Sequence, residues 1–310
     1  MAEKFIICLG SAVWDTIFQV ESIPTAGIKV LPSRALQIAS GMATSAAITI
    51  ARLGGNVQLW SRVGDDDIAR RFIRDVRFEG VDTRFVRMQP GLTTPFSTVI
   101  VDKMGERLVV PYFDPNMSAD TSWLPLERIA AAGAVLADMR WVDGAEALFQ
   151  TAKSHGIHAI LDADTAPHQD LARLVPMASH VLFSEVALRS YVNASSPEEA
   201  LMTVAQNTDA EVLGVTLGAK GSLIWTRDAG TLQHYSTPKI VAADTLNAGD
   251  VWHGTFTWGL AQGWLIDRIV PAANLAAAMK CEVFGGPTGA PTLKALQQRA
   301  QSLGLGVWPT

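Results

Sequence analysis

Cysteine is scarce in this chain of 310 residues, which contains only Cys8 and Cys281. Cys8 lies in an apolar run typical of a strand, and Cys281 lies in an alanine-rich pattern typical of a helix. Two cysteines cannot build a disulfide framework, and they do not favour a metal site. We therefore expect two buried thiols in the reducing environment of the cytoplasm.

An excess of positive charge is also missing. The chain has 25 Lys and Arg against 30 Asp and Glu, a formal net charge of −5, and no run rich in Lys or Arg. Nucleic-acid binding therefore has no electrostatic support. The longest apolar stretches are far too short for a membrane span, and "MAEKFIICLG" lacks the long apolar region of a signal peptide. These absences predict a cytoplasmic protein without a nucleic-acid or membrane partner.

Several widespread enzyme motifs are absent. No G-x-x-x-x-G-K-[ST] sequence occurs, and "GAKGS" (218–222) lacks its spacing. The stretch "LGSAVWD" after the first apolar run has a single glycine, which disfavours a G-x-G-x-x-G dinucleotide site. Neither H-E-x-x-H nor G-x-S-x-G is present, and no Cys/His cluster has metal-binding spacing. The function must therefore be sought in other parts of the sequence.

Short apolar runs alternate with amphipathic segments along most of the chain. The apolar runs predict buried strands, and the segments with helical period predict helices. This alternation predicts an α/β fold with a mostly parallel central sheet and helices on both faces, where ligands bind beyond the carboxyl ends of the strands. The predicted strands are 5–10, 56–64, 134–141, 158–164, 180–185 and 212–218, and the predicted helices are 43–55, 66–80, 144–156 and 196–208.

Two β-rich excursions, residues 16–39 and 93–113, interrupt the alternation. In the second, "STVIV" and "RLVVPY" flank the turn "DKMGE", which is a hairpin pattern. A small sheet built from both excursions would act as a lid that excludes water from a reaction. Ordinary surface hairpins would show the same pattern, so the sequence leaves these two interpretations open.

The strongest local signal is "ADTLNAGDVWHGTF" (242–255). A helix that begins here would offer free N–H groups and roughly half a positive charge to an anion, with the Asp250 carboxylate beside it. An anion site next to a base suits phosphoryl transfer. The simpler alternative is a capped helix, with Asn247 as N-cap and Asp250 favouring the helix dipole. The small residues of "SGMATSAAITIARLGG" (40–55) favour the first interpretation, because they let a helix approach a ligand closely.

In their order and spacing, these motifs resemble the ribokinase, or PfkB, family of carbohydrate kinases. The resemblance covers nearly the whole chain. It rests on Gly10 with Asp15 shortly after it, on the Gly41 turn and "ARLGG…RVGDD", on "VTLGAKGS" (215–222), and above all on "DTLNAGDVWHG" (244–254). It implies one ribokinase-like domain over residues 1–310, with the two excursions as its β-sheet lid, and a homodimer formed through that lid.

The resemblance also implies a catalytic apparatus. Asp250 would be the base that accepts the proton of the sugar hydroxyl, and the backbone N–H groups of Asn247, Ala248 and Gly249 would hold the charge on the transferred phosphoryl group. The family signature D-T-x-G-A-G-D has glycine where this chain has Asn247. Asparagine tolerates positive φ better than most residues, and its amide could also reach the sugar.

The expected cofactors are ATP and Mg²⁺, and the resemblance allows a monovalent cation as well. The nucleotide would lie along Thr216, Gly218 and Gly221, although the two glycines also fit a strand-to-strand hairpin. In the family's N-x-x-E run this chain has "SEVA", so Ser184 and Ala187 replace the usual ligands and Glu185 would act on Mg²⁺ through water. Two further residues expected near the nucleotide are Asn274 and Gly286.

The sugar would be bound by Asp15, Gly41, Ser45 and Asn247. A carboxylate such as Asp15 accepts hydrogen bonds from two adjacent hydroxyls, which suits a polyol. The family commonly has asparagine where this chain has Ser45, so ribose or adenosine recognition of the usual kind is not supported.

Arg140 and Lys29 predict an anionic group on the substrate. We expect a strand ending at Arg140 to present its guanidinium at the carboxyl edge, where it matches phosphate, sulfonate or carboxylate oxygens, with Lys29 as a second charge. Within the family these residues look most like the branch that phosphorylates 6-deoxy-6-sulfofructose, although Pro111 replaces a polar residue of that branch. A surface ion pair of Arg140 with Asp138 or Asp143 is the alternative.

The sequence leaves two other functions open. One is a kinase for an uncharged, fructose-like ketose or for a nucleoside. The other is a sensor of sugars or nucleotides that keeps the fold without catalysis. A sensor has no need of a base, so the presence of Asp250 favours an enzyme.

Overall fold

The computed structural model describes residues 4–305, whose largest element is a nine-stranded sheet. In the described residues the strands are β1 (Phe5–Gly10), β2 (Val13–Gln19), β3 (Arg34–Ser40), β4 (Val57–Gly64), β5 (Asp82–Gln89), β6 (Phe96–Val101), β7 (Arg107–Tyr112), β8 (Ala132–Asp138), β9 (His158–Ala163), β10 (His180–Ser184), β11 (Val212–Thr216), β12 (Ser222–Thr226) and β13 (Thr231–Tyr235).

Helices separate most of these strands. They are α1 (Met42–Arg52), α2 (Asp67–Phe78), α3 (Val142–Ser154), α4 (His168–Leu174), α5 (Glu185–Tyr191), α6 (Pro197–Asn207), α7 (Ala248–Ala261), α8 (Ile266–Cys281) and α9 (Leu293–Ser302). Among residues 4–305, none of the helices has both the length and the apolar composition that a bilayer span requires.

The large sheet has the order β13-β12-β11-β10-β9-β8-β1-β4-β5. The seven strands from β11 to β5 in this order pair in parallel, and β12 and β13 add an antiparallel edge. In the central strand β1, Ile6 and Cys8 enter one hydrophobic core, while Ile7 and Leu9 enter the other. Both faces are therefore covered by helices, as a continuously apolar strand such as "FIICLG" requires, and this architecture confirms the predicted α/β fold with a mostly parallel central sheet.

A second, four-stranded sheet has the order β3-β2-β6-β7. Strands β2 and β6 pair in parallel, and the two outer pairs are antiparallel, including the predicted hairpin of β6 and β7. Its small core of Ile17, Ile38, Val99 and Val101 also contains Leu246, which immediately precedes α7. This sheet of β2, β3, β6 and β7, the lid sheet, is therefore packed against the segment that leads into α7.

The structure differs from the sequence prediction at the end of β8. The predicted strand 134–141 is Ala132–Asp138, and Arg140 lies in the turn before α3. The reason is local: the Asp138 carboxylate accepts a hydrogen bond from the Arg140 N–H at 2.8 Å, which turns the backbone out of the sheet. The prediction of two buried cysteines is confirmed, since Cys8 and Cys281 are both buried and unpaired.

Candidate active site

The first turns of α1 and α7 lie side by side because small residues line their contact. A Cβ atom on Gly254 of α7 would stand 2.6 Å from the Ala46 carbonyl oxygen of α1, closer than any side chain allows. At the start of α1, Gly41 has φ +107°, and a Cβ there would be 2.6 Å from the Ser11 carbonyl oxygen. Glycine at both positions brings two helix N-termini to the carboxyl edge of the large sheet.

Asn247 immediately precedes α7 in the left-handed conformation, with φ +60°. Among residues 4–305 it is the one non-glycine residue with positive φ. Its side chain makes no capping bond to the helix. Instead its amide donates to Asp250 Oδ2 at 2.6 Å and to Ser45 Oγ at 3.1 Å. Asn247 thus occupies the N-cap position as the capped-helix interpretation expected, but its side chain bonds to Ser45 and Asp250 and does not cap the helix.

Asp250 lies in the first turn of α7 and is only 9% exposed. Burial raises the pKa of Asp250 to about 6, although the hydrogen bond from Asn247 lowers it. The charges of Asp164 and Asp138 raise it further, and that of Arg107 lowers it. Next to it, Gly249 is exposed, and the space that a Cβ would occupy there is open. Asp250 is thus a carboxylate with a raised pKa at the accessible N-terminus of α7.

Asp15 is joined to Asp250 through side chains. Asp15 is 5% exposed on β2 and accepts a hydrogen bond from Ser97 Oγ at 2.5 Å. Burial raises the pKa of Asp15, opposed by hydrogen bonds from Ser40 and Ser97. Ser40 Oγ in turn accepts from the Asn247 amide at 3.3 Å. The predicted residues Asp15, Ser45, Asn247 and Asp250 therefore belong to one cluster at the junction of lid and sheet.

Asp138 is a buried carboxylate that we did not predict as part of the site. It accepts hydrogen bonds from the Ser11 N–H, the Ser11 hydroxyl and the Ala43 N–H at 2.7–3.0 Å. A Cβ on Gly10 would stand within 2.3 Å of its carboxyl group, so glycine is required there. The feature of the sequence that could have indicated Asp138 is an acidic residue at the end of an apolar strand. Asp138 ties the β1–β2 connection to the N-terminus of α1.

Arg140 lies in the turn after β8, and its ion-pair partner differs from those expected. Its guanidinium donates to the Thr165 carbonyl oxygen at 2.9 Å and lies 3.8 Å from Asp164, so the expected partners Asp138 and Asp143 are not its ion-pair partners. Arg140 does line a cavity of about 360 Å³ beyond β1 and β8, together with Arg62 and Arg173. Lys29 is exposed between β2 and β3 and is not among the residues that line this cavity.

The three residues predicted at the nucleotide lie on the β11–β12 connection. The hairpin interpretation of Gly218 and Gly221 is confirmed, because Thr216 pairs with Ser222 in an antiparallel ladder. A Cβ on Gly221 would be 2.0 Å from the Tyr235 carbonyl oxygen, so this glycine is needed for packing. Gly218 has φ +57° and open space around it, which leaves its surface accessible to a ligand.

Asn274 and Gly286 have structural partners instead of a free surface. The Asn274 amide donates to the carbonyl oxygens of Tyr235 and Ser236, and its oxygen accepts from Ser222 and Trp252. These four bonds use its full capacity, so its amide has no hydrogen bond left for a nucleotide. Gly286 is buried, and a Cβ there would lie 2.7 Å from the Ile38 Cδ1 atom. Both residues therefore have structural roles, and their place near the nucleotide stays a prediction.

Comparisons with known proteins agree with this arrangement. The sequence profile described as "pfkB family carbohydrate kinase" matches residues 3–293. The chain belongs to the pfkB family of carbohydrate kinases. It is similar to a solved structure from Agrobacterium tumefaciens, provisionally described as a ribokinase, with TM-score 0.94 and 38% identity over 98% of this chain and 100% of that one. It is 22% identical to a ribokinase of Lactococcus lactis subsp. lactis (97% and 98% covered) and 28% identical to a fructokinase of Vibrio alginolyticus (83% and 90% covered).

This pfkB-family kinase is an ATP-dependent phosphotransferase, and its carboxylates suit the Mg²⁺ that ATP brings. The Asp162 Oδ2 atom is buried without a hydrogen-bond partner. Burial raises the pKa of Asp162 well above its usual range, and the charges of Asp250, Asp164 and Asp138 add to this. The oxygen lies 3.5 Å from His253 Nδ1. A buried carboxyl oxygen without a hydrogen bond, among other acidic groups, fits a nearby hydrated divalent cation, which would favour the ionised form. The predicted residue Glu185 instead accepts from Arg189 at 2.7 Å, and Ser184 caps α5.

The lid of this kinase is bonded to the segment that precedes α7. Arg107 of β7 donates to Thr245 Oγ1 at 2.7 Å, and the Thr245 hydroxyl donates to the Gly105 carbonyl oxygen at 2.9 Å. No role was predicted for Arg107 or Thr245 from the sequence. The Arg107 charge lowers the pKa of Asp250, so the lid brings a positive charge to the catalytic end of the site.

Proposed function

We propose that this kinase transfers the γ-phosphoryl group of ATP to a hydroxyl of a small polyol bound between Asp15 and Asp250. The observation that carries the proposal is the chain of contacts from Asp15 through Ser40 and Asn247 to Asp250. It puts one carboxylate where it can hold sugar hydroxyls and a second where it can accept a proton.

In this reaction Asp250 accepts the proton of the attacking hydroxyl while the new O–P bond forms and the bond to the leaving ADP oxygen breaks. With a pKa of about 6, the carboxylate is ionised at neutral pH yet is a better base than an exposed aspartate. The N–H groups at the start of α7 lack carbonyl partners within the helix. The Ala248 N–H already donates to the Thr245 carbonyl oxygen at 3.3 Å. The Gly249 N–H, with open space around that residue, would face the transferred group, where preorganised donors stabilise developing charge.

Mg²⁺ would neutralise charge on the ATP phosphates, which phosphoryl transfer requires. Asp162 and Asp164 are the residues that would hold its hydration shell. Glu185 is less available to bind the hydrated ion because it forms an ion pair with Arg189. Among residues 4–305, the cluster of three ligating side chains that lie within 4.8 Å of one another is His158, His180 and Glu211. This cluster is at the amino ends of the strands, so binding of Mg²⁺ near Asp250 would rely on water.

Two substrate classes are supported by different observations. The cavity lined by Arg62 and Arg140 supports an anionic ketose such as 6-deoxy-6-sulfofructose. Within residues 4–305 no carboxylate forms an ion pair with Arg62, whose guanidinium donates to the carbonyl oxygens of Ser118 and Arg140 and stacks on Trp141 at 4.1 Å. The contacts of Arg140 with Asp164 and Thr165 support an uncharged ketose or a nucleoside, since that guanidinium is already engaged. Because Arg62 lines the same cavity as Arg140, we propose it in place of Lys29 as the second charge of an anionic-substrate site. The role of Lys29 stays a prediction.

We also infer a homodimer through the lid. All six residues of β7 are exposed, and its outer edge has no partner strand among the described residues. Leu108, Val109 and Val110 on this strand are 41–58% exposed. A second lid that covered this apolar edge would remove an aggregation-prone surface. We further propose a cytoplasmic enzyme in which residues 1–310 form one domain, with the excursions 16–39 and 93–113 as its lid.

The test is release of ADP from MgATP with a panel of acceptors: fructose, fructose 6-phosphate, 6-deoxy-6-sulfofructose, ribose and nucleosides. We expect turnover with at least one acceptor, and its loss in Asp250→Asn. Binding of sugar or ATP without turnover under all conditions would instead support the sensor alternative. Higher activity with fructose than with each anionic analogue would reject the anionic class and keep the kinase assignment.

A further inference from the structure

A lysine is completely buried behind the N-terminus of α7. Lys280 lies near the end of α8, and its side chain and that of Asp244 are both 0% exposed. The ammonium group is 3.1 Å from Asp244 Oδ2 and donates to the Asp244 main-chain carbonyl oxygen at 2.7 Å. Fully buried charges are rare unless they are paired, so the fold is arranged around this pair.

Asp244 holds the backbone that leads into the anion site at the start of α7. Its carboxylate accepts hydrogen bonds from the N–H groups of Leu246 at 2.8 Å and of Gly285 and Gly286 at 3.1 Å. Gly286 packs against Asn247, since a Cβ on it would lie 3.0 Å from Asn247 Oδ1. The carboxylate therefore holds both the segment that enters α7 and the loop beneath Asn247.

This arrangement needs a positive charge. Burial acts to raise the pKa of Asp244, but the Lys280 charge and the three N–H donors outweigh it and lower that pKa, so the carboxylate is ionised. An unneutralised carboxylate here would oppose the binding of an anionic phosphoryl group at the nearby start of α7. The ammonium of Lys280 supplies the compensating charge from within the chain.

The same pair of oxygens would otherwise suit a monovalent cation. A dehydrated K⁺ ion binds carbonyl and carboxylate oxygens in place of water, and an ammonium group is similar to it in size and charge. In this chain Lys280 already occupies one carboxylate oxygen and one carbonyl oxygen of Asp244. The residues present therefore do not fit an additional monovalent cation at Asp244.

We propose that Lys280 is a built-in substitute for a monovalent cation, and that this kinase works without K⁺. The proposal rests on the proposed kinase activity. Lys280 acts through Asp244 and the loop at Gly285 and Gly286, so it is a positioning residue and does not touch the substrate.

The first test uses the unmodified protein. Its kcat and its unfolding temperature are measured in KCl and in choline chloride at equal ionic strength and equal MgATP. We expect kcat to agree within about twofold and the unfolding temperature to be the same, because an ion that does not bind the folded state cannot stabilise it. A tenfold or larger activation by K⁺, at about the usual scale of allosteric coupling, or a K⁺-specific rise in unfolding temperature, would overturn the proposal.

The second test compares Lys280→Ala, which leaves a cavity beside Asp244, with Lys280→Met, which fills it without charge. In choline chloride we expect kcat of both variants to fall by about tenfold to a hundredfold, the usual cost of losing a group that orients a site. KCl or NH₄Cl should restore Lys280→Ala in both kcat and unfolding temperature, and should not restore Lys280→Met. The exposed residue Lys294 provides a control, Lys294→Ala, with no expected change in either salt.

Wild-type activity in Lys280→Ala in choline chloride would refute the role of the ammonium. If neither variant folds, the comparison of salts on the unmodified protein still decides whether a monovalent cation binds. If no acceptor is phosphorylated in any salt, the proposed kinase activity fails, and the effect of K⁺ on the unfolding temperature tests the cation substitution separately.

Discussion

Replacement of Asp250 by Asn separates catalysis from stability. The substitution keeps the shape of the side chain and can still accept the hydrogen bond that Asn247 makes to Asp250 at 2.6 Å. It removes the proton acceptor, and a positioned base typically contributes ~10²–10⁴-fold to the rate. We therefore expect kcat to fall by about 10²-fold or more, with sugar and MgATP still bound, as measured by coupled ADP release and calorimetry.

The stability of the same variant is expected to rise. The pKa of Asp250 in the folded protein is about 6, above its ordinary value of 3.8, mainly because of burial. A group with a raised pKa stabilises the folded state fully below its unfolded pKa, and this contribution is lost as pH rises through the folded pKa. The ionised carboxylate thus costs up to about 3 kcal/mol at neutral pH, and Asp250→Asn removes that cost.

The pH dependence gives an independent check. In the unmodified enzyme kcat/KM should rise with pH through about 6, as the carboxylate loses its proton. The residual activity of Asp250→Asn should lack this limb. Near-normal turnover in the variant would remove Asp250 from the role of base. A fall in both unfolding temperature and kcat would show that the side chain is needed for folding, and would refute the separation described here.

Three further predictions concern neighbouring parts of the protein. If the substrate is anionic, Arg140→Ala should raise its KM by about tenfold, because a charge-assisted hydrogen bond of ~1.5–3 kcal/mol is lost. The KM of a neutral ketose should not change, and Arg74→Ala at an exposed position is the control. Equal losses with both substrates would show that Arg140 has a structural role. Asn247→Gly keeps the positive φ but removes the hydrogen bond that lowers the pKa of Asp250, so the acid limb of the kcat/KM profile should move to higher pH; an unchanged limb would contradict the contact. Val110→Glu on the exposed lid strand should convert a dimer into monomers in light scattering, and a monomeric unmodified protein at micromolar concentration would reject the lid interface.

Some elements were predictable because their signals are local. The run "FIICLG" is apolar at every position before Gly10 and becomes a buried central strand of the sheet, with the predicted limits Phe5–Gly10. The helix Asp67–Phe78 lies within the predicted 66–80, and Asp66 caps it through the Ala69 N–H at 2.8 Å. Alternation of such segments determines the layers of the fold, since each can bury its apolar surface in only one way.

Other assignments failed because they depend on partners far away in sequence. The sequence treats Asn274 as a polar residue in an alanine-rich helix, but its four partners come from β12, α7 and residues 235–236. The alternative considered for Arg140 was an ion pair with Asp138 or Asp143, and the aspartate it pairs with is Asp164, which follows the next strand. A sequence pattern shows which side chains are polar, whereas the choice among several possible partners depends on distances between elements.

The sequence alone determined the local chemistry of the start of α7. Asn247 and Asp250 are three residues apart, so any helix that begins at Ala248 sets them in the same turn. Only the tertiary structure decided what surrounds this turn. Asp15 and Asn247 meet through Ser40 because the lid sheet packs on Leu246, and Lys280 reaches Asp244 because α8 packs along α7. Burying these groups is unfavourable unless their partners come together in the folded chain, and Ser40 and Asn247 are 207 residues apart while Asp244 and Lys280 are 36 residues apart.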